Sequence, residues 1–515
     1  MPAVNISRNF LLVISLIYIY LPISIFFVGW TRPCIAMTCL SILFICAVRC
    51  LRQAKRDNEL ANKKTVGNIR IGLGTLEFVL FLFIFIGYYA GFGRFVDQSF
   101  DWLKHNAILA DLVNKSWPVY YSNKDEYSML TYYIAQYIVP SAIGKLFNSF
   151  RCAEIALYVW NVIGLFLVFL HMVSFLSVKK TIEQLVCAAA IPFFDLPVWL
   201  SKVVLRQFIG YGSVNSAAEW YYSDGLDGVR IHYFDNFFQL RWAFPQAITI
   251  WLIMMILLEY REYIRYYVLV ILPGMLFATL SFIGILPLAL GFVVEKVIKA
   301  KGKGIFFQIF SFENVTVTVS CGIVLLLYLY GNVTGEKPEQ IGFHLMPYTI
   351  RSAMVYLVFV CINVTVYALI LFKSHKNDGI YYAVVSTLMI LPFFSMGMWN
   401  DLEIRSSIPS LFVLMIYILA FLNEQMKGGS DNFLDSKKVA ICLIFLVIGA
   451  YYPFSQLSSC IASKDYQVEL GNGNGWSSME PFANRKLDIS NDVKFNYYSY
   501  ELDKNIFYKY LASNK

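Results

Sequence analysis

The sequence predicts an all-α polytopic membrane protein, a bundle of about 13 transmembrane helices with external interfacial helices and a small external C-terminal cap. Three observations lead there. Apolar runs of about 18 residues recur along most of the 515-residue chain, long enough at 1.5 Å per residue to cross a ~30 Å hydrocarbon core. Only 15% of the residues are charged and 58% are hydrophobic, against about one quarter charged in an ordinary soluble domain. Basic residues also concentrate in a few short loops, the pattern that marks cytoplasmic segments.

The expected spans fall near 10–30, 33–48, 73–93, 128–148, 153–176, 185–200, 244–260, 266–297, 314–331, 351–372, 380–398, 406–422 and 438–455. The first is too long for a signal-peptide core and is read as a retained helix. The run 266–297 contains "LPG" (272–274) and "GILP" (284–287), so it is expected as two short helices forming a hairpin. The segment 128–148 carries Pro140, Gly144, Thr131 and Gln136 and is expected to insert only partly. With that exception, the basic loops 49–72, 296–313, 373–379 and 423–437 all fall on the cytoplasmic side. The N-terminus is then cytoplasmic and the C-terminus external. Loops 94–152, 201–243, 332–350 and 399–405 fall outside, at less than half the Lys and Arg density of the inner loops.

This reading takes residues 1–455 as one transmembrane domain and 456–515 as the external segment, where the alternation in "VKFNYYSYEL" (493–502) suggests strand. The net charge of +8 reports loop sidedness and is no argument for nucleic acid. The ten cysteines show no metal-ligand or disulfide spacing, and no metal site is expected.

Polar groups gather in the external loops. Asp97, Asp101, Lys104 and His105 in and before "DWLKHNAILADL" recur on one helical face. Their bland reading is a solvated pair of a few tenths of a kcal/mol, but Leu103, Ile108, Leu109 and Leu112 press the same helix against the membrane. "WPVYY" (117–121) adds Trp117. The loop 201–243 brings Asp224, Asp227, His232, Asp235 and Arg241 among aromatics; His232 and Arg241 singly read as loop packing. In "NDLEIRSSIP", Asp401 and Glu403 fit helix capping. Arg405 opposes the dipole at a helix start unless an anion sits there. The paired tyrosines at span borders, Tyr132 and Tyr133 among them, read as interfacial belts.

Carboxylates bind hydroxyls and act as bases, arginine forks onto phosphate, and aromatic faces stack on sugar rings. The stretches "DWLKHNAIL", "WPVYY", "LRWAFPQ" and "DLEIRSSIP", with the partly embedded "YYIAQYIVPSAIGKLF" (132–147), resemble the GT-C superfamily of membrane glycosyltransferases, in particular bacterial GT-C-like proteins. The resemblance covers residues 73–455 and is one of arrangement, because the candidate acids Asp97 and Asp101 stand four residues apart and form neither a DxD nor an adjacent pair. It implies transfer of a sugar from a polyprenyl-phosphate donor to a glycan, lipid or protein acceptor at the outer face of a bacterial plasma membrane. Asp101 or Asp97 would be the base. Arg405, Arg241, Lys104 and His105, with Asp401 and Glu403, would hold the lipid phosphate. Trp117, Asp224, Asp227, His232 and Asp235 would serve the sugar or acceptor. Cationic side chains alone can neutralise a phosphate leaving group, so no cofactor is required and a divalent metal is an option the chemistry does not need. A surface-polysaccharide polymerase or ligase, or a transporter of lipid-linked glycan, would use similar ligands.

Overall fold

The computed structural model describes residues 2–62, 69–96, 98–99, 101–123, 126–209, 231–300, 304–332, 343–397, 400–428, 433–462, 478–480, 497–499 and 502–513. The first half contains α1 (Arg8–Trp30), α2 (Pro33–Asn62), α3 (Leu73–Tyr89), α4 (Trp102–Asn114), α5 (Ala135–Leu146), α6 (Phe150–Leu176), α7 (Thr181–Phe193) and α8 (Val198–Ile209). It continues with α9 (Asn236–Trp242), α10 (Phe244–Glu259), α11 (Tyr267–Ile271), α12 (Gly274–Phe277) and α13 (Thr279–Lys299). The remainder is α14 (Ile305–Ile309), α15 (Phe312–Val317), α16 (Ile323–Tyr330), α17 (Ile350–Val360), α18 (Val366–His375), α19 (Gly379–Ile390), α20 (Asp401–Ser406), α21 (Ile408–Gly428), α22 (Phe433–Gly449) and α23 (Tyr451–Ala462).

Strands are short. β1 (Ala3–Ile6) pairs antiparallel with β2 (Ile69–Gly72). β3 (Tyr120–Asn123) and β4 (Glu126–Leu130) form a hairpin, and β5 (His344–Leu345) pairs with β6 (Phe394–Ser395). β7 (Tyr498–Ser499) joins β4, with Met129 opposite Ser499 and Leu130 opposite Tyr498.

The polytopic helical class holds, and the expected count of about 13 spans is corrected. Among the described residues, eight helical segments are long and apolar enough to cross a membrane, or nine if α7 and α8, bent by 51°, form one span. The difference has a physical cause. α10 is a 16-residue helix with every side chain from Phe244 to Leu258 buried in protein. Its apolarity serves the protein core, and its ~24 Å length falls short of the bilayer. The 17-residue α3 and the segments Ile264–Phe277 and Gly379–Phe393 are likewise apolar but short.

The segment 128–148 resolves into strand β4 and the 12-residue α5, too short to cross. The hairpin expected in 266–297 is also corrected. The chain breaks near Pro273 and Ala278, and α13 then runs unbroken through Pro287 as a 21-residue span.

Side-chain contacts sort the helix ends onto two faces. On one, Arg49 pairs with Glu313 at 3.2 Å, Arg265 with Glu313 at 3.4 Å, and Arg261 with Asp378 at 3.4 Å. These join the basic loops that the sequence groups together. Just inside this face, His171 bridges Ser15 (2.9 Å) and Glu259 (2.6 Å), tying α1, α6 and α10 with polar contacts typical of membrane bundles. At the other end of α1, Trp30 and Arg32 meet the C-terminal residues, where Arg32 donates to the Lys509 carbonyl at 3.0 Å and Ser513 donates to that of Trp30 at 3.0 Å. This second face carries α4, the β3–β4–β7 sheet and the start of α20.

Candidate functional site

α4 is no solvated helix. Trp102 is buried, stacks on Phe244 at 4.5 Å and 8°, and donates its indole N–H to the Arg241 carbonyl at 2.9 Å. His105, Ile108, Leu109 and Leu112 are buried with it. The residues left at the edge are Asp101 and Lys104, whose side chains pair at 2.8 Å and are 25% and 15% exposed.

A second ion pair faces them from α20. Arg405 Nε donates to Asp401 Oδ1 at 2.7 Å, with side chains 16% and 24% exposed. Arg405 Nη1 reaches the Tyr133 hydroxyl at 3.2 Å, to which Gln246 of α10 also donates. Arg405 lies close enough to Asp101 and Lys104 for their charges to act on one another. Thus Asp101, Lys104, Asp401 and Arg405, more than 290 residues apart in sequence, share one cluster with Tyr133 and Tyr497.

Burial is the largest influence on Lys104 and opposes its charge, but the Asp101 carboxylate with Tyr497 and Tyr133 together outweigh it and hold the ammonium above its ordinary pKa. His105 behaves oppositely. It is buried, Nδ1 lies 2.5 Å from the Tyr137 hydroxyl, and burial followed by Lys104 and Arg405 pushes its pKa well below 6.5. His105 is therefore neutral and orients neighbours rather than supplying positive charge.

The other sequence candidates sit elsewhere. Glu403 is fully buried and accepts the His232 backbone N–H at 3.0 Å and Asn400 Nδ2 at 2.8 Å, clamping segment 231–235 onto α20. It lies two residues from Arg405, a spacing at which helical side chains do not face each other. The His232 ring is buried edge-on to Phe234 at 4.1 Å. Arg241 donates to the Tyr89 carbonyl at 3.2 Å and to Cys460 Sγ at 2.6 Å. Trp117 stacks on Trp30 at 5.1 Å and donates to the Leu112 carbonyl at 2.8 Å. Asp97, Asp224 and Asp227 lie outside the described residues. Among the described residues no group of three or more His, Cys, Asp or Glu could hold a metal ion.

Asp235 caps α9 by accepting the Phe238 N–H at 2.8 Å and also takes Gln456 Nε2 at 2.7 Å. Burial pushes its carboxyl up to about 7, against the opposing pull of these hydrogen bonds. A carboxyl raised on folding binds its proton more tightly in the folded state. Its favourable contribution is therefore complete at low pH and is lost as pH climbs from about 4 to about 7. Asp235→Asn keeps the cap, since Asn is as good an N-cap as Asp. The variant is expected to melt several degrees higher at pH 7.5 and to flatten that pH dependence, with no gain at pH 4. Equal melting shifts at both pH values would contradict this.

Tyr133, Tyr497 and Gln246 do not stand out in the sequence as site residues. The tyrosines read as part of the interfacial belt and of a capping strand, and Gln246 as part of an apolar run. A glutamine one turn into such a run is the signal that was available. Comparison with protein-family models, curated protein sequences and solved structures gives no match.

Proposed function

We propose that the chain is a membrane-embedded glycosyltransferase that moves a sugar from a polyprenyl-phosphate donor to a hydroxyl acceptor at the face carrying α4 and α20. The observation that carries this reading is the meeting of two cation–carboxylate pairs, Lys104–Asp101 and Arg405–Asp401, beside tyrosine hydroxyls at the mouth of a span. Cations held in a low-dielectric setting favour a phosphate monoester more than water does. A carboxylate beside them is placed to take a proton from an attacking hydroxyl.

Asp101 removes the acceptor hydroxyl proton as the acceptor oxygen bonds to the sugar carbon and the bond to the lipid phosphate oxygen breaks, with inversion. Arg405 and Lys104 neutralise the departing phosphate. As the phosphate draws Lys104 towards itself, the Asp101 carboxylate loses its partner and becomes a stronger base. The clustering of basic loops supports a sidedness with this face outside and the N-terminus in the cytoplasm.

The test is incubation of the purified protein with radiolabelled sugar on polyprenyl phosphate and a panel of hydroxyl acceptors. Release of polyprenyl phosphate with label on the acceptor supports the reading. Movement of intact lipid-linked sugar across proteoliposomes, without any bond broken, would replace the enzyme with a transporter.

A further inference from the structure

The C-terminal segment reaches this cluster from a distant part of the sequence. One face of α4 holds it. Lys104, Asp111 and Lys115 recur at i, i+7 and i+11. Asp111 is buried, accepting Ser478 Oγ at 2.6 Å and the Met479 N–H at 2.8 Å, and Lys115 pairs with Glu480 at 2.8 Å. Tyr498, fully buried, donates to the Met479 carbonyl at 2.7 Å and extends the sheet through β7.

Those anchors fix Tyr497. The Thr131 N–H donates to its carbonyl at 2.8 Å, and its ring lies 4.6 Å from that of Tyr132. The side chain is nearly buried, and its hydroxyl stands in the field of Lys104, Tyr133, Asp101 and Arg405. Burial pushes that hydroxyl up to about 12, so it remains a proton-bearing donor at neutral pH. Among the described residues no hydrogen bond engages it. A donor beside two cations, with no acceptor of its own, suits an anion more than another cation.

We infer that Tyr497 belongs to the anion-binding site, so that residues 497–499 form one wall of it and Tyr497 donates a hydrogen bond to the lipid phosphate. This inference rests on the reading of the cluster as a lipid-phosphate site. It names the source of the anion as a polyprenyl phosphate rather than free phosphate.

The experiment uses the full-length chain in nanodiscs and measures binding of C55 polyprenyl phosphate, C55 polyprenyl alcohol and inorganic phosphate. The wild-type chain should prefer the lipid phosphate to both others. Tyr497→Phe keeps the ring contact with Tyr132 and should melt like the wild type, yet bind the lipid phosphate about tenfold more weakly, as expected for losing a hydrogen bond to a charged group. Tyr497→His, which restores an N–H donor, should recover part of the loss; its recovery carries the test if the Phe variant is poorly folded. If the wild type prefers lipid phosphate and both variants bind it equally well, Tyr497 is excluded from the site while the phosphate reading stands. If the wild type shows no preference for the phosphate over the alcohol, the site reading falls and this inference with it. Equal binding of inorganic phosphate and the lipid form would overturn the polyprenyl assignment.

Discussion

Asp101→Asn is expected to lower kcat for sugar transfer by about 10²–10⁴-fold, the range by which positioned proton transfer accelerates reactions. Its KM should change little. Asn keeps the side-chain shape and still accepts a hydrogen bond from Lys104, so donor binding survives while the proton acceptor is lost. Arg405→Ala should behave differently, lowering kcat by about 10²–10³-fold and weakening donor binding together. The guanidinium meets the phosphate both before and during bond breaking, and its removal leaves Asp401 unpaired at 24% exposure.

Two controls sharpen the test. Glu403→Gln sits two residues from Arg405 but clamps His232 and Asn400, so it should act on melting temperature more than on the kcat of folded protein. His105→Asn removes a neutral group and should leave the charge of the site unchanged. Full activity in Asp101→Asn would exclude Asp101 as the base. The measurements are steady-state kinetics with labelled lipid-phosphate sugar, paired with melting curves for each variant.

The charged residues of the cluster are legible in the sequence because ionisable groups are expensive beside an apolar run and stand out there, but the Arg405–Asp401 pair is not, since Asp401 reads as a helix cap and Arg405 as a cation awaiting an anion. The sequence sets Arg405 at a helix start, where a cation opposes the dipole; the helix in fact begins at Asp401, and Arg405 lies one turn on, paired with it. Tyr497 was not legible as a site residue. Its link to Lys104 depends on a two-residue strand and on the Asp111 anchor, and neither leaves a periodic trace. The alternation near 493–502 suggested a strand but not its partner, which is β4 of the first long loop. Glu403 and His232 illustrate the reverse. Their residue types suggested ligand chemistry, while burial and a backbone hydrogen bond commit them to holding two segments together.

The number of spans was overstated because hydropathy does not distinguish a helix facing lipid from one enclosed by other helices. α10 has the composition of a span and is surrounded by protein. α5 marks the opposite boundary. Its buried Gln136 donates to Asn161 and accepts from Thr249 at 3.2 Å. These polar partners identify a helix packed inside the bundle, where Pro140 and Gln136 suggest from the sequence only a partial insertion.

Gly284→Val is expected to have a large effect although it lies outside the charged cluster. "GILP" was read as a helix break because Gly and Pro commonly end helices. In α13 the glycine has another purpose. A Cβ built there would lie 2.1 Å from the Ser406 carbonyl oxygen and 2.9 Å from Pro409 Cγ. The absence of a side chain lets α13 approach the backbone where α20 passes into α21, and Ser406 Oγ closes the contact by donating to the Leu280 carbonyl at 2.8 Å. Small residues permit such close backbone approach between membrane helices. Valine would force the two backbones apart by more than an ångström, beyond what side-chain rotation can absorb. The cost should be about 3 kcal/mol, the upper end of what overpacking a core costs. Arg405 precedes Ser406 directly, so this displacement also moves the guanidinium from Asp401 and Tyr133. Gly284→Ala should give a smaller loss of the same kind, and Gly284→Ser should not rescue it, because the obstacle is space and not polarity. Melting temperature and lipid-phosphate binding should fall together along the series Gly, Ala, Val. A Val variant that melts and binds like the wild type would show that the α13–α20 contact does not position Arg405.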